Sequence, residues 1–231
     1  MNSPISLQEL EALRGIDAPT LSNAIETFHE RLRNEGFMDS SVQCLFPRFR
    51  PMVGYAATIT IRGSAPPTAA DNYTDRTDWW DYILSVPAPR VVVIQDVASK
   101  PGLGSLVGAV HMNILRALGS IGVVTNGSVR DVPAAEEAGF QLFAAGLSVS
   151  HAYVHIIDFG KPVEIAGLHV ESGNLLHGDL HGVQCIPVDL ARRIPSVAAR
   201  IQAKERKLIA LCRSRKFSLE KLRAAVTCPD A

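Results

Sequence analysis

An arginine and an aspartate stand side by side at the end of Asn126-Gly127-Ser128-Val129-Arg130-Asp131, and together they could grip a chelating acid. A guanidinium is a planar fork that matches a carboxylate, and an aspartate oxygen is a hard donor suited to Mg²⁺ or Mn²⁺. Each residue also has a plainer use. Val132-Pro133 starts a helix that Asp131 could cap, and Arg130 could pair with Glu136 or Glu137. A second candidate is the loop Gly102-Leu103-Gly104, with Gly108 following, between a buried strand and a helix. Backbone N–H groups at such a helix start suit an anion. The loop is not a Rossmann fingerprint, because position 107 is Val107, and no Gly-Lys-Ser/Thr follows to make a P-loop. A tight strand-to-helix turn is the alternative reading. Histidines form the third candidate. His151 and His155 are four apart, as are His177 and His181, with Asp158 and Asp179 nearby. That spacing shares a face on a helix and on a strand alike, and Ala152 excludes a zinc-protease HExxH motif. Structural, hydrogen-bonded histidines are the expectation, with a metal cluster as the alternative. Trp79-Trp80 reads as core or interface rather than as a stacking platform for bases.

The elements that must position these residues follow from hydrophobic periodicity. Leu7 to Leu13 reads as a short helix stopped near Gly15, and Asp17 or Thr20 caps a second one carrying Leu21, Ala24, Ile25 and Phe28. Met52 to Ile61 alternates and is rich in β-formers, so it reads as a strand broken by Gly63 to Pro67. The acidic stretch Asp71 to Tyr82 reads as a loop entering a short helix. Arg90 to Gln95 and Ile121 to Thr125 are apolar, β-branched runs of the kind buried on both faces of a sheet. Helices are expected over Leu106 to Leu118 and Val132 to Ala138, followed by strands at Phe143-Ala144, Ala152–Ile157, Val163–Ile165, Leu168–Val170 and Val183–Ile186. Asp189 to Arg223 reads as helical. The simplest account is one α/β domain over residues 1–190 with a helical extension over 191–231, packed on it or on a neighbouring protomer.

Composition narrows the class. The 231 residues are 47% apolar and 20% charged, as in an ordinary folded domain rather than a disordered chain. Basic and acidic residues both number 23, so no global field draws the chain to nucleic acid or an anionic membrane. The balance is uneven, however: Arg192 to Arg223 holds eleven basic and two acidic residues. Such a tail could hold an anion or nucleic acid, although a solvated helix face is the plainer reading. No apolar run is long enough for a membrane span, and Met1 to Gln8 has no signal-peptide pattern. Cys44, Cys185, Cys212 and Cys228 are scattered, which fits free thiols in a cytoplasmic protein.

Several stretches resemble the RraA-like family, which includes class II 4-hydroxy-4-methyl-2-oxoglutarate aldolases and RraA regulators of ribonuclease activity. They are Gly102-Leu103-Gly104, Gly108, Ala117 through Asp131, Gly139-Phe140, Phe143-Ala144 and Gly178-Asp179, within Pro19 to Pro187. The resemblance implies a swivelling β/β/α fold and a homotrimer or homohexamer with sites between protomers. It also implies a divalent metal, Mg²⁺ or Mn²⁺, on Asp131 and a pyruvyl carboxylate on Arg130. Substrate would also touch backbone N–H groups at Gly108, Ala109 and Val110. The implied reaction is cleavage of a 4-hydroxy-2-oxo acid, or decarboxylation of oxaloacetate, through a pyruvate enolate. This chain departs from the pattern at one place. The family's acidic residue, separated from Arg-Asp by the stretch numbered 110–129 here, falls on Ala109. Asp96 is a candidate replacement, and Glu205 is the candidate for the acid that a neighbouring protomer's C-terminal helix contributes. The alternative implied by the resemblance is a non-catalytic, protein-binding regulator.

Overall fold

A computed structural model describes residues 5–67 and 77–227. The aspartates at 71 and 75, expected in a loop, lie outside the described residues. Two short helices come first, α1 (Leu7–Arg14) and α2 (Ala18–Glu26). Ser6 and Glu9 form a reciprocal capping box on α1, and Asp17 caps α2 by accepting from the Thr20 N–H at 2.9 Å. After the two-residue strand β1 (Gln43–Cys44), β2 (Met52–Arg62) leads through α3 (Asp78–Ser85) to β3 (Arg90–Asp96). The chain then alternates through α4 (Ala109–Ala117), β4 (Ser120–Val129), α5 (Val132–Glu137) and β5 (Gln141–Leu147). It continues with β6 (His155–Phe159), the hairpin β7 (Val163–Ile165) and β8 (Leu168–Val170), then β9 (Leu175–Asp179) and β10 (Gly182–Ile186). Two helices close it, α6 (Ile194–Arg213) and α7 (Leu219–Thr227).

β2, β3, β4 and β5 run parallel, joined by helical crossovers. β9 and β10 extend the sheet antiparallel beyond β2, β1 caps the β5 edge, and β6 pairs with the far end of β2. The alternation of side chains across a strand builds two cores from one sheet. Val92 and Ile94 of β3 face the helical layer, whereas Val91 and Val93 face Val163, Ile165, Leu168 and Val170 of the β7–β8 hairpin. The result is a mixed α/β domain of hairpin, sheet and helices, as the sequence leads one to expect, with further helices at the C-terminus.

Several boundaries differ from expectation. Helix α4 starts at Ala109 rather than Leu106, because Val107 instead forms a parallel bridge with Val129. β4 does not stop at Thr125 but runs to Val129 through a register shift between Thr125 and Ser128. β9 was not expected, because His177-Gly178-Asp179 carries turn-forming residue types; all five of its residues are nevertheless buried. The basic segment is two helices broken at Ser214 to Ser218 rather than one, and α7 buries no residue. α6 is anchored at its start, where Ile194, Val197 and Ala198 are buried and the Arg193 guanidinium lies 4.4 Å from the centre of the Phe28 ring.

Candidate functional site

The site forms at the carboxyl ends of β3 and β4, where ligands collect in parallel sheets. Asn126 ties the two strand ends together: its Oδ1 accepts from the Asp96 N–H at 2.7 Å and its Nδ2 donates to the Asp96 carbonyl at 3.1 Å. The Asp96 side chain is buried, and each of its oxygens is hydrogen-bonded. One oxygen accepts from the Ala98 N–H at 3.0 Å and the other from the Gly102 N–H at 2.8 Å. Asp96, the candidate replacement acid, therefore fastens the glycine loop through both carboxylate oxygens. Gly102 has a φ of +82°, and the loop lies so close to β4 that a Cβ there would sit 3.4 Å from the Ser128 nitrogen.

From this loop, Val107 runs alongside the end of β4, and its carbonyl accepts the Arg130 N–H at 3.0 Å. Gly108 then turns the chain into α4. The Arg130 side chain crosses over Gly108 so closely that a Cβ there would lie 2.7 Å from Arg130 Nε and 2.8 Å from Asp131 Oδ2. Asp131 adopts the left-handed conformation, φ 55° and ψ 37°, which aspartate tolerates better than most residues. It is the N-cap residue of α5, but its side chain makes no cap bond to that helix. Instead its Oδ2 accepts from the Ala109 N–H at 2.8 Å, at the start of α4. Asp131 thus stands at the start of α5 as expected, while its side chain bonds the start of α4. Arg130 makes no pair with Glu136 or Glu137; its acidic neighbour is Asp131, 4.0 Å from Nε. That Nε is buried without a hydrogen-bond partner.

Arg130 lines a cavity of about 150 Å³ with Ser105, Leu106, His111, His151 and Val154. Such a space holds several waters and so admits an acid of a few carbons. The cavity meets the first turn of α4, whose N–H groups the helix cannot satisfy itself and whose dipole is positive at this end. With Arg130 the local field favours an anion. Among the expected contacts, the Ala109 N–H is already taken by Asp131, and Val110 is 71% exposed outside the cavity lining. Glu205 lies exposed on α6, which packs on α1, α2 and α7.

The histidine pairs divide. His177 is fully buried, its Nε2 2.9 Å from the Ile16 carbonyl, and burial pushes its pKa below the ordinary histidine value. His181 Nδ1 lies 3.1 Å from Asp179 Oδ1, while Asp179 Oδ2 accepts from the Ala18 N–H at 2.7 Å. This pair secures the start of α2 to β9 and β10. His155 turns its Nδ1 to the Tyr153 carbonyl at 2.8 Å, and only His151 of the four lines the Arg130 cavity. Sequence reasoning missed His111, whose ring centre is 6.5 Å from that of Trp79. The signal was available: residue 111 falls in the first turn after Gly108.

Among the described residues no group of three or more histidine, cysteine, aspartate or glutamate side chains is arranged to hold a metal. Mg²⁺, however, commonly takes one or two protein carboxylates and fills its remaining positions with water and substrate oxygens. Asp131 Oδ2 is engaged by Ala109, leaving Oδ1 to supply such a donor. A bare cation there would face the Arg130 guanidinium and the positive helix end. The residues fit a divalent ion that arrives with a chelating anion, and fit a free ion poorly.

Comparison with known proteins bears on this arrangement. The family described as RraA-like, Aldolase/RraA, matches residues 18–184. The chain belongs to the RraA-like family. A curated relative from Halalkalibacterium halodurans, named "Putative 4-hydroxy-4-methyl-2-oxoglutarate aldolase", is 26% identical over 100 residues. That match covers 43% of this chain and 48% of the relative, so the chain spans about half the length of the curated relative it matches. An uncharacterized Pseudomonas syringae protein has a TM-score of 0.74 at 23% identity, covering 97% of this chain and 96% of its own. Streptomyces coelicolor RraAS2, described as an unusual member of the RNase ES inhibitor RraA family, gives 0.69 at 20% identity, covering 89% and 97%. At these identities the structural likeness establishes the RraA-like fold. No helix among the described residues is long and apolar enough to cross a membrane.

Proposed function

We propose that the chain is a divalent-metal-dependent lyase acting on a small 2-oxo acid, by cleavage of a 4-hydroxy-2-oxo acid or decarboxylation of oxaloacetate. One observation carries the reading: the buried, unpartnered Arg130 Nε borders a small cavity at a helix N-terminus, with the Asp131 carboxylate 4.0 Å away. A buried donor left unpaired costs about 1–3 kcal/mol, and a ligand carboxylate would relieve that cost. Arg130 would hold the C1 carboxylate, the first turn of α4 would add N–H donors, and Asp131 would hold Mg²⁺ or Mn²⁺. When bound, the metal supplies Lewis-acid polarisation of the 2-oxo group. Gly108 keeps the guanidinium and carboxylate together, and Asp96 holds the loop that walls them in.

The segments around the cavity also carry exposed Leu103, Val110, Leu147, Val149 and Tyr153. Exposed apolar surface of this kind supports a homotrimer or homohexamer in which a neighbour covers the site, and the helices over residues 191–231 are candidates to reach that neighbour. The scattered thiols support a cytoplasmic setting.

Thermal unfolding tests the reading. Mn²⁺ with oxalate or pyruvate, at about a hundredfold excess over its dissociation constant, contributes about 2.7 kcal/mol, or roughly 5–10 °C in Tm at this chain length. Mn²⁺ alone should shift Tm little. Release of pyruvate from oxaloacetate or a 4-hydroxy-2-oxo acid should require the metal and rise in Ala109→Glu. No Tm shift with metal and acid together, and no turnover in either protein, refutes the enzymatic reading. A specific observation favours a second one: Ala109 brings no carboxylate to the site. A protein-binding regulator would respond neither to metal nor to acid and would bind a partner through its surface.

A further inference from the structure

We infer that His151 is the proton-transferring group of this site; this rests on the 2-oxo-acid reading above. Three observations converge on it. His151 lines the same cavity as Arg130, so it borders the space in which the guanidinium would hold a ligand. Its Nδ1 lies 2.8 Å from the Ala152 carbonyl, and a carbonyl can only accept, so Nδ1 carries a proton and, in the neutral ring, Nε2 keeps the lone pair. Its backbone is pinned on several sides. The Ser105 N–H donates to the Ser150 carbonyl at 3.1 Å, the Ala152 N–H to Ser150 Oγ at 2.9 Å, and the Val154 N–H to the His151 carbonyl at 3.0 Å. Ala152 takes a φ of 45°, costly for alanine, and Gly104 approaches so closely that a Cβ there would collide with the His151 carbonyl. A loop fixed this firmly holds the imidazole at a defined place against the glycine loop. The two other nearby imidazoles are less suited. His111 lies against Trp79, and the Nε2 of His155 is buried without a partner and outside the cavity lining.

In the cleavage of a 4-hydroxy-2-oxo acid, His151 Nε2 takes the proton of the C4 hydroxyl. The oxygen electron pair forms the C4 carbonyl as the C3–C4 bond breaks, and that bond's electrons pass to the enolate across C3 and C2. The imidazolium then returns its proton to C3, giving pyruvate and the carbonyl product with no other reactant. The same group would remove and restore a methyl proton of pyruvate, which gives a partial reaction free of the unknown leaving group.

The experiment is proton NMR of pyruvate in D₂O with the full chain and Mg²⁺, alongside thermal unfolding with Mg²⁺ and oxalate. Wild type should exchange the methyl protons. His151→Gln should exchange at least about a hundredfold more slowly while keeping the oxalate shift, and imidazole should restore exchange to His151→Ala. Rescue by free imidazole separates proton transfer from a merely structural role. Exchange at the wild-type rate in His151→Gln overturns the assignment, and so does a wild type that binds oxalate but exchanges nothing. Failure of wild type to bind oxalate instead defeats the 2-oxo-acid reading, and the role of His151 falls with it.

Discussion

Gly108→Ala separates the site from the fold better than any other single change. The glycine has φ −121° and ψ −172°, extended backbone that alanine adopts freely, so the substitution strains no dihedral. The added methyl would lie 2.7 Å from Arg130 Nε and 2.8 Å from Asp131 Oδ2, against ordinary contacts of 3.4–4 Å. Both side chains must therefore retreat by roughly 1 Å, a displacement that can cost about a hundredfold in a catalytic or binding constellation. The stability cost is smaller. Losing glycine at an N-cap that makes no side-chain bond costs about 1 kcal/mol, and the hydrogen bond from the Ala109 N–H to Asp131 about 1 kcal/mol more. Chemical denaturation should thus show a loss of about 1–2 kcal/mol, while titration with oxalate in the presence of Mn²⁺ should weaken about a hundredfold. Oxalate affinity within threefold of wild type would refute the placement of ligand against Arg130 and Asp131. Global unfolding would show instead that Gly108 serves the core.

Asp131→Asn keeps an acceptor for the Ala109 N–H and an αL-tolerant backbone, so its Tm should stay within about 2 °C of wild type while the joint metal–oxalate shift disappears. Asp96→Ala unpairs the Ala98 and Gly102 N–H groups together; denaturation should show a loss of about 2–4 kcal/mol, with faster amide exchange across residues 98–104. His177 has a folded pKa below its unfolded value, so the unfolded state binds the extra proton. Its contribution is complete above the unfolded histidine pKa and is lost as pH falls below it. Tm should therefore decline between pH 7.5 and 5.5, and His177→Gln, which retains a donor for the Ile16 carbonyl, should flatten that slope.

The βαβ scaffold was legible because buried parallel strands write themselves as β-branched runs. Val91, Val92, Val93 and Ile94 are buried on both sides, and this is why the run reads as a strand at all. The caps on α1 and α2 were legible for a similar reason, since they depend on residues only three apart. What stayed hidden depends on contacts far along the chain. β9 holds glycine because Phe143 lies where a Cβ at 178 would go, within 2.8 Å, and no local pattern announces that. Val107 leaves the helix because Val129 offers it a bridge across more than twenty residues. At the site, Arg130 and Asp131 could be named from their chemistry. That Arg130 shares one hollow with His151 depends on the glycine loop packing against a distant strained turn.

The kinked backbone at Asp131 also bears on descent. Few residues accept that twist, and the same short carboxylate fastens the start of α4, so two structural demands hold an aspartate or asparagine there whatever the chemistry. No comparable demand holds a guanidinium at 130, where Nε makes no hydrogen bond to its own protein. Position 131 is therefore constrained by the backbone and by α4, whereas position 130 is free to change without loss to either.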